Sequence, residues 1–191
     1  MRKYLVNTAL ITSAAILIFS PQESEKVQQS TDSVMELTGA TETGRIPARL
    51  VETIDGDTIK VMVMGKIETV RYLLIDTPES KKPGFCIQPY AREAAIRNEH
   101  LVRGGPLSLE FEQGNTKDSY GRLLAYVYVD GQSVQEKLLQ GGLARVAYII
   151  NPPYKYLLEY QSNEKMAKED KRKIWSRPGY VTSRGFEGCG M

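Results

Sequence analysis

From Arg45 onward, hydrophobic and polar positions alternate in short runs. Ile46 to Ile54, Thr58 to Met64 and Ile67 to Ile75 each read as a β-strand. Asp55-Gly56 and Gly65-Lys66 join them with residues that suit tight turns. In the second run Ile59, Val61 and Val63 share one face, and period-two counting puts Asp57 on that face too. A carboxylate continuing a core face belongs at the mouth of a barrel rather than in its interior. A loop from Glu79 to Pro89 follows. Tyr90 to Val102 then has helical spacing, with Ala91, Ala94, Ala95 and Leu101 inward, and Gly104-Gly105 ends it. Leu107 to Glu112 and Leu123 to Val129 are two further strands, separated by a polar loop from Gln113 to Arg122. Ser133-Val134-Gln135-Glu136 is a capping box opening a short helix, closed by Gly141-Gly142. Leu143 to Ile150 is apolar and extended, Asn151-Pro152-Pro153 is a turn, and Tyr154 to Lys173 is a third helix with a charged outer face. Trp175 is expected to pack that helix end onto the core. This order predicts an α+β fold: a five-stranded antiparallel β-barrel of the OB type with three α-helices.

The chain ahead of this pattern is different in kind. Met1 to Tyr4 is basic, and a mainly apolar run extends from Leu5 to Phe19. Residues 1–20 therefore read as a secretory signal or, if uncleaved, an N-terminal membrane anchor, which would be the chain's contact with a membrane. Residues 21–44 are rich in Gln, Glu, Ser and Thr and read as a disordered linker. The folded domain is expected over 45–176. Residues 177–191 are Gly-rich and expected to be mobile unless Cys189 is tied down.

Composition narrows the chemistry. The 191 residues carry a formal net charge of +2, with 25 basic and 23 acidic side chains. Residues 1–20 hold Arg2 and Lys3 and no acid, so without them basic and acidic residues balance. Global charge thus does not predict nucleic-acid binding, and attraction to phosphate must come from local Arg and Lys. The single histidine, His100, excludes zinc sites that need two histidines, and it sits in a predicted helix. Two cysteines, Cys86 and Cys189, are too far apart for a local CxxC site. With an export signal they suggest one disulfide; two free thiols are the other reading.

The charged residues at the hairpin ends are the ones that carry chemistry. Phosphodiester cleavage needs an oriented and deprotonated water, a neutralised phosphate oxygen and a stabilised pentacoordinate phosphorus. Asp57 and Asp76 are hard oxygen ligands suited to Ca²⁺ or Mg²⁺. Glu79 is in reach to act as general base. Arg71 and Arg122 can fork onto phosphate oxygens. Asp55-Gly56 alone is an ordinary turn, and Asp76-Thr77-Pro78-Glu79 alone is an ordinary helix start. Their joint placement with Arg71 in one hairpin favours function. Arg71 and Asp76 are five apart, so strict alternation sends them to opposite strand faces. They converge only if the strand bends or bulges near its end.

Three segments, Ile54-Asp55-Gly56-Asp57-Thr58, Arg71 to Glu79 and Asp118 to Tyr126, resemble the signature segments of the staphylococcal nuclease (thermonuclease) family. Gly141 to Tyr148 and Ile174-Trp175-Ser176 extend the resemblance, which covers roughly Arg45 to Ser176. It implies an OB-fold barrel with three helices and Ca²⁺-dependent hydrolysis of DNA and RNA to 3′-phosphorylated products; a secreted or surface-anchored location and a monomeric state are separate expectations. It implies Ca²⁺ held by the carboxylates of Asp57 and Asp76 and the carbonyl of Thr77. Glu79 would be the general base, Arg71 and Arg122 the transition-state stabilisers, and Tyr120 and Tyr148 the walls of the nucleotide pocket. Two positions depart from the family pattern. Ser119 stands where the best-known member has a lysine, and Ile150 stands where a second pocket tyrosine is expected. A Cys86–Cys189 disulfide would brace the loop following Glu79. The alternative is a non-catalytic OB-fold module for single-stranded nucleic acid.

Overall fold

Alternation of branched apolar and polar residues builds the barrel in the computed structural model, which describes residues 44–80, 84, 86–114 and 116–189. The expected export segment at 1–20 and the linker at 21–44, apart from Gly44, lie outside the described residues. Among the described residues, no helix is long and apolar enough to cross a membrane. The strands are β1 (Ile46–Asp55), β2 (Thr58–Val63), β3 (Lys66–Tyr72), β5 (Leu107–Glu110) and β6 (Leu123–Val129). Between them, β4 (Ile75–Asp76) stands apart, and β7 (Gln132–Ser133) is a short extension of the sheet.

The sheet runs β3-β2-β1-β5-β6-β7 and closes through a β3–β6 pairing. Neighbouring strands are antiparallel except at that seam, where Val70, Arg71 and Tyr72 pair in parallel with Leu123, Leu124 and Ala125. Closure removes the exposed sheet edges that invite aggregation. The β1–β2 ladder is irregular between Leu50 and Glu52 and between Thr53 and Asp55, which is how a barrel strand gains curvature. Met64 and Gly65 both have positive φ, 49° and 75°, as a two-residue hairpin loop requires.

Side chains of Ile59, Val61, Val70, Tyr72, Leu109, Ala125 and Val127 fill the barrel and are buried. Each large aliphatic group removed from water there contributes ~1.5–3 kcal/mol. Three helices cover the barrel: α1 (Ala91–Val102), α2 (Val134–Gln140) and α3 (Leu157–Glu169). On α1, Ala91, Ala94, Asn98 and Val102 are buried, while Ala95 and Leu101 are only half-buried. The capping box at α2 forms as expected, with Ser133 Oγ accepting from the Glu136 N–H. Buried Gln135 ties α2 to β6, its Oε1 accepting from the Val127 N–H and its Nε2 donating to the Ala125 carbonyl.

Two segments differ from the pattern-based reading. The apolar run from Leu143 to Ile150 contributes only β8 (Arg145–Val146), which pairs with β4. Beyond a 3-10 turn at Lys173–Ser176, the tail expected to be mobile forms a small hairpin of β9 (Val181–Thr182) and β10 (Gly185–Phe186). The proviso holds: Cys189 is tied down, joined to Cys86 in a disulfide with Cα atoms 5.5 Å apart. Tyr180 buries its ring against Tyr90 and Phe186, which adds an apolar anchor.

Candidate functional site

Asp57 enters the barrel mouth because β2 does. Its inward neighbours Ile59 and Val61 are fully buried, and Asp57 itself is 6% exposed. A buried carboxylate needs donors, and Asp57 has four. Thr77 N–H and Oγ1 donate to Oδ2 at 2.9 and 3.0 Å, and Thr58 Oγ1 donates to Oδ1 at 2.9 Å. Arg71 Nη2 lies 3.1 Å from Oδ2. Gly56 makes this approach possible, since a Cβ there would lie 2.6 Å from Thr77 Oγ1 and 2.9 Å from Ala94 Cβ.

The predicted conflict between Arg71 and Asp76 is resolved by a break in the strand. β3 stops at Tyr72, Leu74 takes a φ of 64°, and β4 sets off to pair with β8 instead. Arg71 seals the break: Nη1 donates to the carbonyls of Tyr72 and Ile75 at 3.0 and 2.9 Å. Its Nη2 reaches both carboxylates, 3.1 Å from Asp57 and 3.3 Å from Asp76. The guanidinium is therefore a latch of the fold as well as a cation in the cleft. Its own pKa is raised by the charges of Asp57 and Asp76, against the opposing effect of burial.

Asp76 has a second cation that the sequence pattern did not reveal. Arg145, on β8, places Nε and Nη2 at 3.0 and 2.9 Å from Asp76 Oδ2. Tyr148 OH donates to Asp76 Oδ1 at 3.3 Å, and the Tyr148 ring lies 5.3 Å from Arg71 Cζ. Burial and the charge of Asp57 still raise the Asp76 pKa despite both arginines. Asp55 is pushed up to about 6, first by burial and then by Asp57, although Ser80 Oγ and the Gly56 N–H donate to it. Four carboxylates, Asp55, Asp57, Asp76 and Glu79, line the cleft against two arginines, Arg71 and Arg122.

Glu79 follows Asp76 in an irregular stretch. Its N–H donates to Gln88 Oε1 at 2.7 Å, and its carbonyl accepts from the Gln88 N–H at 3.1 Å. The nearness of its side chain makes a small further contribution to raising the Asp55 pKa. On the opposite wall Asp118 organises the Tyr120-Gly121-Arg122 turn. It accepts from the N–H groups of Tyr120 and Arg122 at 2.9 and 3.0 Å and from Arg122 Nε at 2.7 Å. Gly121 supplies the positive φ of 77° that this turn needs.

Asp55, Asp57, Thr58, Thr69, Arg71, Asp76, Thr77, Glu79, Tyr120, Arg122 and Tyr148 line one open cleft of about 590 Å³. All eight residues singled out from sequence for chemistry or nucleotide contact are among them. Tyr120 and Tyr148 stand at the rim, 84% and 58% exposed, as platforms on which bases can stack. Ile150 is 73% exposed and Ser119 is exposed, so neither departure disturbs packing. His100 lies apart, exposed on α1 beside a separate cavity with Arg97 and Lys137. The residues missed from sequence are Arg145, Asp118, Thr69 and Gln88. Asp118 and Arg145 lie inside segments that carry the resemblance, and at Asp118 the Gly-Arg turn adds a local signal, since an Asp that precedes such a turn is placed to accept its N–H groups.

The donor set fits a hard divalent cation. Asp57 and Asp76 offer carboxylate oxygens, and the surplus negative charge is what such an ion relieves. Among the described residues, no three Asp, Glu, His or Cys side chains form a cage. A cation there would use two carboxylates, the Thr77 carbonyl and water.

The family model described as "Staphylococcal nuclease homologue" matches residues 69–177. The chain is 61% identical over 140 residues to "Endonuclease YncB" of Bacillus subtilis (strain 168), covering 73% of this chain and 66% of that protein. It is 58% identical over 144 residues to "SPbeta prophage-derived endonuclease YokF" of the same organism, covering 75% of this chain and 49% of that protein. It is 34% identical over 175 residues to "Thermonuclease" of Staphylococcus hyicus, covering 91% of this chain and 99% of that protein. The chain therefore spans 66% and 49% of the length of the two Bacillus relatives.

Proposed function

The chain belongs to the staphylococcal nuclease family, and on that premise we propose that it is a Ca²⁺-dependent nuclease. It hydrolyses phosphodiester bonds of DNA and RNA to 3′-phosphorylated products. The observation that carries this reading is the convergence of Asp57, Arg71, Asp76, Thr77, Glu79 and Arg122 on one cleft with two exposed tyrosines at its rim.

The chain's own residues divide the work. Tyr120 and Tyr148 receive bases, and the cleft between them receives the backbone phosphate. Arg122, preset by Asp118, donates to phosphate oxygens and stabilises charge as the pentacoordinate phosphorus forms. Arg71 adds positive charge on the carboxylate side of the cleft. Asp57, Asp76 and the Thr77 carbonyl would hold the calcium ion. When bound, that ion polarises a non-bridging phosphate oxygen as a Lewis acid. Glu79 takes a proton from the attacking water at its carboxylate.

The basic and then apolar residues 1–20 support export, to the medium or the cell surface. The Cys86–Cys189 bond supports an oxidising compartment.

The test is cleavage of single-stranded DNA and RNA by the chain from residue 45 onward, at mildly alkaline pH, with Ca²⁺, Mg²⁺ or chelator. Cleavage with Ca²⁺ that ceases with chelator and leaves 3′-phosphate ends supports the proposal. Binding without cleavage under every metal overturns it in favour of a non-catalytic nucleic-acid-binding barrel.

A further inference from the structure

The match to the family model stops at residue 177, yet the C-terminal hairpin beyond it reaches the catalytic cleft from two sides. Three of its attachment points fall on the segment 86–90. Cys189 is bonded to Cys86. Phe186 accepts a hydrogen bond at its carbonyl from Gln88 Nε2 at 2.9 Å. Tyr180 OH donates to the Pro89 carbonyl at 2.5 Å. Gln88 is also the residue that holds Glu79, through Oε1 and its backbone N–H.

One planar amide therefore bridges the tail and the backbone of Glu79. Its orientation is fixed, because only the amide NH₂ can donate to Phe186 and only the amide oxygen can accept from Glu79. Glu79 lies outside every strand and helix, so this bridge substitutes for the ladder that a regular element would supply. On the other side, the Phe186 ring lies 5.7 Å from Arg145 Cζ, within the range of a cation–π contact. Arg145 in turn grips Asp76 at 2.9 and 3.0 Å. Backbone and ring of Phe186 thus act on the two carboxylates at opposite ends of the Asp76–Glu79 stretch.

We propose that this disulfide-stapled hairpin is a positioning element of the site. It acts through Gln88 on Glu79 and through Phe186 and Arg145 on Asp76. The inference rests on the nuclease reading for its kinetic consequences, while its structural consequences stand alone. Phe186 and Gln88 are positioning residues, since neither lines the cleft.

The two branches separate by mutation in the full chain. Gln88→Leu removes the bridge and leaves the Phe186 ring in place. It should lower kcat by about 10- to 100-fold with KM within about twofold, as expected when a general base is misplaced by roughly 1 Å. Ca²⁺ affinity, read by calorimetry without substrate, should not change. Gln88→Glu keeps the acceptor for Glu79 but sets a carboxylate against the Phe186 carbonyl, and it should not rescue. Phe186→Ala keeps the backbone bond to Gln88 but frees Arg145. It should weaken Ca²⁺ binding by about 10-fold, as losing a ligand's supporting contact does. The Cys86→Ser/Cys189→Ser double variant should show both losses, and Arg184→Ala, on the exposed hairpin turn, neither.

Thermal melts check that each variant is folded. Amide hydrogen exchange at Glu79 reads the bridge without any turnover: protection should fall in Gln88→Leu. If the wild type cleaves and these variants match it in kcat, Ca²⁺ affinity and Glu79 protection, the positioning role is wrong. If the wild type does not cleave, the nuclease reading fails, and unchanged Glu79 protection in Gln88→Leu still overturns this inference.

Discussion

Removing Arg145 tests whether the cleft depends on a cation whose pairing with Asp76 the sequence did not show. Arg145→Met keeps the length and most of the apolar stem while deleting the charge. The Arg145 and Asp76 side chains are 11% and 14% exposed, so solvent replaces little of what is lost. Unit charges about 4 Å apart attract by roughly 4 kcal/mol at an effective dielectric near 20. Desolvation of the guanidinium offsets part of that. Asp76 also keeps Arg71 and Tyr148, so it is not orphaned, and the loss falls below the 3–5 kcal/mol typical of a stranded buried ion. The net cost is therefore ~2–3 kcal/mol, in line with a charged hydrogen bond. For a domain of this size that lowers Tm by roughly 6–10 °C. The Asp76 carboxyl, already raised by burial and Asp57, should rise further, and Ca²⁺ binding should weaken. Urea denaturation with chelator gives the stability term, and calorimetric Ca²⁺ titration gives the second. A variant as stable as wild type, with unchanged Ca²⁺ affinity, would refute the assignment of Arg145 as the partner that holds Asp76.

Other perturbations bear on neighbouring parts of the site. Asp55 is raised to about 6 in the folded chain, so its contribution to stability is favourable below the ordinary carboxyl range and is lost as pH rises through about 6. The ceiling is ~3 kcal/mol, which screening at the partly exposed carboxyl reduces to ~1 kcal/mol. Asp55→Asn should thus melt higher than wild type at pH 8 with chelator and equally at pH 4; a gain confined to low pH would contradict the cause given. Arg122→Ala should cost ~3–4 kcal/mol of barrier, about 10²- to 10³-fold in kcat. Its stability should stay within ~1 kcal/mol of wild type, since the pair with Asp118 is partly exposed. Gly56→Ala must displace Thr77 or α1; urea denaturation should show a loss of ~2 kcal/mol, and turnover should fall more than about tenfold as Asp57 loses its Thr77 donors.

Local pattern predicted much of this molecule because the barrel obeys period two. Ile59, Val61 and Val63 point inward with Asp57 as the alternation requires, and the β6 bounds at Leu123 and Val129 follow the apolar run. The convergence of Arg71 and Asp76 needed a bend, and the structure supplies one as a strand break at Leu73-Leu74 rather than as a bulge. What stayed hidden depends on distant partners. Arg145 sat inside an apolar run that read as a strand, and Asp76, its partner, is 69 positions away. Asn98 occupies an inward α1 position that an apolar residue would be expected to fill. It is buried because it accepts from Tyr72 OH at 2.7 Å and donates to the Asp55 carbonyl at 2.7 Å. The tail looked mobile because its glycines offer no periodicity, and its order comes from Tyr180, Phe186 and the disulfide. The eight cleft residues were legible because they cluster in short segments whose spacing the barrel preserves.

The central claim is that Glu79 is the base in a Ca²⁺-assisted hydrolysis. Its most direct test is turnover of single-stranded DNA by Glu79→Gln in Ca²⁺, with nucleotide affinity and thermal stability measured on the same preparation. The account predicts a folded variant that binds nucleotide as wild type does and loses about 10²- to 10⁴-fold in kcat, the range of a positioned general base. Turnover close to wild type, with folding and binding intact, would contradict it.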